Sequence, residues 1–217
     1  MSSQPRPDAH EERVSARERR AIIDVATESF LSMGYEDTRV DDIADIAGVS
    51  KQTFDKHFPD KERLFSDFVN DVVHAVCDPI YDEVRNINDS GDVEADLRDL
   101  ARRLLARVIL PLPIKLRRLV IAEAGRFPDL GGFYHEQGPA RTRAALASAF
   151  DRLAAQGVLR LEDPILAAAH FDALIVSIPL NEGVLWVFDY EGPPDPADLD
   201  RYADTGVRVF LAAYGHH

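Results

Sequence analysis

Apolar residues recur at helical spacing along most of this chain. Ile22, Val25, Ala26, Phe30 and Met33 share one face, and Gly34 supplies a stop. Ser15-Ala-Arg-Glu18 has the form of a capping box, so this first helix is expected to begin at Ser15. The next apolar sets are short. Val40, Ile43, Ala44 and Ala47 follow Thr38, the expected cap, and Gly48-Val49-Ser50 ends them. Ser50 caps a further short helix to about His57. Pro59-Asp60 then ends that helix and caps a long one with Leu64, Phe65, Phe68, Val72 and Val73 inward. Helices this short bury little surface alone, so they must pack on one another.

Beyond residue 75 the pattern lengthens, predicting helices near 92–110, 114–127, 139–156, 163–180 and 195–214. Breaks are expected at Asp89-Ser90-Gly91, Pro111/Pro113, Pro128 to Gly132, Gly157 and Glu191 to Pro196, with Pro79 and Pro179 kinking or ending their helices. Val158 to Leu161 is the one strand-like fragment, and without a partner it reads as a helix connection. The fold class is all-α. Three regions follow: a polar, disordered arm over residues 1–14, a helical head over 15–62, and a larger helical domain over 63–217.

Composition narrows the function. The 217 residues carry 25 Lys and Arg against 38 Asp and Glu, a formal charge of −13. Such a chain repels polyanions on average, which argues against a nucleic-acid coat protein or an anionic-membrane binder. One cysteine, Cys77, excludes an internal disulfide and a cysteine zinc module. No uninterrupted apolar run approaches a membrane span and no signal-peptide core is evident, so a soluble cytoplasmic protein is expected. No P-loop, dinucleotide-binding fingerprint, serine elbow or His-Glu-x-x-His motif occurs, and the seven histidines lack metal-ligand spacing. Neither an enzyme nor a cofactor or metal is expected.

The segment Val40 to Phe58, VDDIADIAGVSKQTFDKHF, meets the demands of a helix-turn-helix. Ala44 is small where two helix axes cross, Gly48 suits a left-handed turn, and Val49 and Phe54 are apolar where the pair shares a face. With Phe54 and Phe58 inward, Lys51, Gln52, Asp55 and Lys56 point outward on the second helix, the one that would enter the major groove. Lysine and glutamine suit guanine and adenine edges. An ordinary helical hairpin would show the same spacing.

From Ile22 to Phe65 the chain resembles the DNA-binding domain of the tetracycline-repressor (TetR) family of bacterial transcriptional regulators. The resemblance rests on Phe30-Leu-Ser-Met-Gly-Tyr35, Thr38, Ile43-Ala44, Ala47-Gly-Val-Ser-Lys-Gln-Thr-Phe54, His57-Phe58, Pro59-Asp-Lys-Glu62 and Leu64-Phe65. Arg118 to Ala124, followed by Phe127-Pro128, is similar to one C-terminal subtype of the family. This resemblance implies a homodimer, a three-helix head on double-stranded operator DNA, and a helical domain holding a small-molecule effector. It further implies phosphate contacts by Thr38 and Lys61, base or phosphate contacts by Lys51, Gln52 and Thr53, and a backbone contact by His57. Asp55 departs from the family's usual tyrosine. A carboxylate near phosphate is repulsive, so weakened binding is expected unless Asp55 accepts from a cytosine or pairs with Lys51.

Residues 1–70 hold 10 basic and 15 acidic side chains, so DNA binding must depend on a narrow stripe: Arg17, Arg19, Arg20, Lys51, Lys56 and Lys61. A solvated helix face would explain the N-terminal arginines equally well. Leu166 to Val176 is apolar around its circumference and, with Val207, Val209, Phe210 and Leu211, is expected to form a four-helix dimer interface or core within one subunit. For an apolar or aromatic effector the candidate contacts are Glu123, Phe127, Phe133, Tyr134, His135, His170 and Trp186, with Glu123 alternatively paired to Arg103 or Arg107. A dimeric ligand-binding module with an impaired head and, more remotely, a small all-α enzyme are the competing readings.

Overall fold

The computed structural model describes residues 9–85, 87, 90–185 and 195–215. Contacts divide the chain into two units, Met1–Val72 and Val73–His217.

The first unit opens with α1 (Ala9–Asp37), which starts well ahead of the expected cap. Ser15 therefore lies inside the helix, and residues 9–14 of the expected arm are helical; residues 1–8 lie outside the described chain. Gly34, at φ 78° and ψ −176°, interrupts α1 where the stop was expected, in a conformation that a side chain would strain. Thr38 does not cap the next helix. It is 1% exposed and its hydroxyl donates to the Gly34 carbonyl at 2.7 Å, so Arg39 precedes α2 (Val40–Ala47) with no side-chain cap. Gly48 takes the left-handed conformation at φ 68°, returning its N–H to the end of α2. Ser50 then accepts from the Thr53 N–H at 3.1 Å and opens α3 (Lys51–His57). Asp60 accepts from the Arg63 N–H at 2.7 Å and opens α4 (Lys61–Arg85).

Burial of Ile22, Phe30, Ile43, Ala44, Phe54, Phe58, Leu64, Phe65 and Phe68 holds these short helices together. Phe30 meets the edge of Phe65 at 5.0 Å and lies 5.2 Å from Phe68, while Phe54 and Phe58 stack obliquely at 5.8 Å. Each such ring stabilises by roughly 1.5–3 kcal/mol on burial, far more than a one- or two-turn helix gains from its own hydrogen bonds.

The second unit holds the rest of α4, then α5 (Val93–Val108), α6 (Pro111–Glu123), α7 (Pro128–His135), α8 (Arg141–Ala155), α9 (Pro164–Leu185) and α10 (Pro196–Tyr214). The expected break at Pro128 is instead a helix start. Proline at the first helical position loses no intrahelical bond, and a π turn over Glu136–Ala140 carries the chain into α8. Pro79 and Pro179 also lie within α4 and α9, which continue past them. Leu159 and Gly215 form an isolated antiparallel bridge, so the strand-like fragment is a connection that pins the end of α10. Phe150, Phe171 and Phe210 pack mutually at 5.0 to 5.3 Å and centre the core of α5, α8, α9 and α10.

One face of α9 stays open. Ile165, Leu166, Leu174, Ile178 and Leu185 are exposed, as is Val209 on α10, whereas Val207 and Phe210 are buried within the subunit. By length and composition α9 could cross a membrane, contrary to the expectation that no apolar run approaches a span; its opposite face, with Phe171, Ile175 and Val176, is part of the core.

Candidate DNA-contacting helix and effector cavity

In the head, α3 buries Phe54 and turns Lys51, Gln52, Asp55 and Lys56 to solvent, as the spacing requires. Lys51 is not poised alone. Its ammonium sits 3.1 Å from Asp41 and 3.6 Å from Asp55. The hydrogen bond that Lys51 donates to Asp41 is the main cause raising its pKa, with burial opposing and Asp55 adding. The Lys51–Asp55 pair is thus formed, one turn apart on the same helix. Thr53 is half-buried and its hydroxyl bonds to that of Ser50 at 2.9 Å, tying it to the cap.

Three expected phosphate-facing groups are occupied elsewhere. The Thr38 hydroxyl serves the Gly34 turn and is buried. The His57 side chain is 7% exposed and faces Glu18 at 3.4 Å, so it is a packing residue between α3 and α1 rather than a protruding one. Lys61 lies 4.4 Å from the Tyr35 ring centroid and donates to the Glu36 carbonyl at 3.1 Å, anchoring the start of α4. The basic stripe is also more neutralised than the sequence implies. Arg19 pairs with Asp67 at 2.7 Å and Arg20 with Asp24 at 2.9 Å, while Arg17 and Lys56 are exposed.

The second unit holds a half-open cavity of about 500 Å³ between α4, α5, α6, α7, α8 and α9. Val76, Ile80, Val108, Val120, Val176 and Leu180 give it apolar walls. Of the expected effector residues, Tyr134 and His135 line it. Glu123, Phe127, Phe133 and His170 do not. His170 instead bonds the Tyr214 hydroxyl at 2.6 Å, and Phe133 meets His74 edge-on at 6.3 Å. Trp186 lies outside the described residues. Glu83, rather than Glu123, receives Arg103 at 2.8 Å and Arg107 at 2.9 Å.

The cavity also contains polar groups that the sequence reading missed: Cys77, Arg117, Arg143, Asp172 and Asn181. The one available signal was Asp172, a carboxylate inside the apolar run Leu166 to Val176. Burial pushes its pKa up despite the opposing pull of Arg143 and Arg117. Burial likewise raises Tyr134, against a hydrogen bond and charge from Arg117, and pushes the Cys77 thiol up to about 11. Arg143 donates from Nε to the Pro139 carbonyl at 3.1 Å and lies 3.0 Å from His135 Nε2.

Comparison with known proteins agrees with this architecture. A family model for bacterial regulatory proteins of the tetR family matches residues 22–68, and one for the AefR-like transcriptional repressor C-terminal domain matches residues 95–216. The chain is similar to the solved structure of a TetR-family transcriptional regulator from Mesorhizobium loti MAFF303099. The two are 41% identical, with 93% of this chain and 98% of that one covered and a TM-score of 0.81. The flavonoid-responsive regulator FrrA is 29% identical, with 92% and 98% covered and a TM-score of 0.70. The HTH-type transcriptional regulator RutR of Escherichia coli strain K12 is 42% identical over 52 residues, which span 24% of each chain. With both of its units matched, the head by one model and most of the second unit by the other, the chain belongs to the TetR family of bacterial DNA-binding transcriptional regulators.

Proposed function

We propose that this protein is a homodimeric, cytoplasmic repressor that holds a short palindromic operator and leaves it when a small molecule occupies the α4–α9 cavity. The observation that carries the reading is α3, whose buried Phe54 turns Lys51, Gln52 and Lys56 outward behind the left-handed Gly48 turn. The expected boundaries at residues 15 and 62 fall inside α1 and α4, whereas the two units part after Val72. Arg17 and Lys56 supply exposed cations for phosphates, and Lys51 and Gln52 supply base contacts once Lys51 leaves Asp41.

The open apolar face of α9, with Val209 of α10, suits a second copy of the chain, which would bring two heads to adjacent half-sites. Release follows if the ligand binds the DNA-incompetent conformation more tightly, since a ligand with equal affinity for both shifts nothing. A largely apolar cavity fits an apolar or aromatic effector, and the flavonoid response of the similar regulator FrrA is consistent with that chemistry.

A second reading, a dimeric ligand-binding module with an impaired head, is favoured by Asp55 and Asp41 neutralising Lys51. Fluorescence anisotropy on duplexes tiled across the DNA upstream of the protein's own gene, with a salt series, separates the two. Saturable binding to one tile, resistant to competitor and falling steeply with salt, is expected. Equal weak binding to all tiles favours the impaired module.

A further inference from the structure

The cavity's polar groups are unevenly satisfied. Elsewhere in the second unit Arg98, Arg102, Arg103, Arg107 and Arg141 each meet a carboxylate. Arg117 and Arg143, on α6 and α8, face the cavity, and among the described residues neither pairs with a carboxylate within 4.0 Å. Protein groups hold Arg143 in place. Arg143 is fixed between the Pro139 carbonyl and His135, and Arg117 lies on the same wall as Tyr134, whose pKa burial raises against the pull of the Arg117 charge. Asp172 of α9 lies in the same wall, half-buried, and no described residue donates a hydrogen bond to its carboxylate. Two guanidiniums and one carboxylate leave a formal surplus of one positive charge, strengthened by apolar surroundings.

The wall is graded along α9. Asp172, then Val176 with Ser177, then Leu180 with Asn181 line the cavity at successive turns, so over about 12 Å this helix passes from a carboxylate to aliphatic surface edged by neutral polar groups. A hydrocarbon filling this space would desolvate both guanidiniums and the carboxylate without replacing their water, a loss that polar sites impose strongly on ligands lacking the matching group. An amine would meet the surplus positive charge.

We propose that the cavity takes an amphipathic hydroxy acid. Its apolar or aromatic body lies on Val76, Ile80, Val120 and Leu180, its anionic oxygen accepts from Arg117 and Arg143, and its hydroxyl donates to Asp172. This rests on the reading of the cavity as the effector site and specifies its chemistry: the arginines select the acid, Asp172 selects the hydroxyl, and the aliphatic wall selects the body.

The test uses the full chain and four matched probes: 4-hydroxy-2-naphthoate, its methyl ester, 2-naphthoate and 2-naphthylmethylamine. Calorimetry and thermal shift measure binding, and anisotropy on the tiled duplexes is recorded separately. The hydroxy acid is expected to bind at least about tenfold tighter than the ester, and several-fold tighter than 2-naphthoate. Arg117→Gln should shrink the preference for acid over ester, and Asp172→Asn the preference for the hydroxyl. Equal or tighter binding of the ester or amine overturns the proposal, as does the absence of any shift with all four at millimolar concentration. The wild-type panel decides this even if a variant fails to fold. Specific operator binding by a protein that prefers the ester rejects the ligand class and leaves the regulator reading standing. Tight hydroxy-acid binding by a protein that ignores every duplex does the reverse.

Discussion

The head and the second unit are both helical and both centred on clustered phenylalanines, yet they carry their chemistry differently. In the head, Lys51, Gln52, Asp55 and Lys56 sit on one short helix, with Gly48 and Ser50 setting its start. In the second unit the cavity groups come from several helices, among them Arg117 on α6, Tyr134 on α7, Arg143 on α8 and Asp172 on α9. The head's site needs only its local fold to exist. The cavity exists only when distant helices pack, so its chemistry is spread through segments that look like ordinary core. The head therefore keeps its contacts on the outside, within reach of its own acids, while the cavity keeps its charges inside, where burial governs them.

The largest expected effect tests the first half of this contrast. Phe54 is 1% exposed and is the aromatic anchor of α3. Phe54→Ala should cost about 3–5 kcal/mol and abolish specific operator binding, although Phe54 faces away from the groove. Chemical denaturation with anisotropy on the operator tile checks both. A destabilisation under about 1 kcal/mol would mean that α3 is held by something other than its aromatic anchor.

The same contrast explains which features were legible in the sequence. The Gly34 stop, the Gly48 turn and the Ser50 and Asp60 caps were anticipated because each is decided within four residues. Thr38 was not: a hydroxyl before a helix can cap forward or bond backward, and the Gly34 interruption brings a carbonyl within its reach. Pro128 opens α7 where a break is expected, because proline opens helices as readily as it ends them. Arg19 could not be separated from a solvated face, since its partner Asp67 arrives from α4. Arg103 and Arg107 found Glu83 rather than Glu123 for the same reason. Of the cavity residues, the aromatic Tyr134 and its neighbour His135 were anticipated and the charged ones were not. Sequence distance hid the convergence of Arg117, Arg143 and Asp172.

Asp172 sharpens the second half of the contrast. Its raised pKa means that burial outweighs the attraction of both arginines, so Asp172 ionises less readily in the folded chain than in the unfolded one. For an acid raised in this way, the folded state carries a penalty at pH values above its folded pKa. The penalty fades as pH falls through that value and is gone below the ordinary carboxylate range. Asp172→Asn should therefore raise Tm by about 2–4 °C near pH 7.5. The gain should shrink as pH is lowered. Thermal melts of both proteins across pH check the sign, and a loss of stability at neutral pH would show that Arg117 and Arg143 need the charge more than the fold resists it.

The smallest effect concerns the outer face of α3. Lys51 and Asp55 are both about half exposed, so their 3.6 Å pair contributes at most a few tenths of a kcal/mol to folding, as does the 3.1 Å contact with Asp41. On the proposed reading the consequence lies in DNA binding, where Asp55 would approach phosphates and Asp41 would compete for the lysine. Asp55→Asn removes one repulsion and one partner, and should tighten binding to the operator tile roughly three- to tenfold at low salt. The gain should decline as added salt screens exposed charges, since the Debye length is about 8 Å at physiological ionic strength. Asp55→Tyr should gain at least as much, because its hydroxyl can also donate to the backbone. Anisotropy on the operator and on a scrambled duplex distinguishes the two roles open to this carboxylate. Tighter binding to both duplexes assigns Asp55 to repulsion. Tighter binding to the scrambled duplex with weaker binding to the operator assigns it to a base, the cytosine amino group being the donor an aspartate can accept from in the major groove. In that case the acidic face of the head would carry part of its sequence preference.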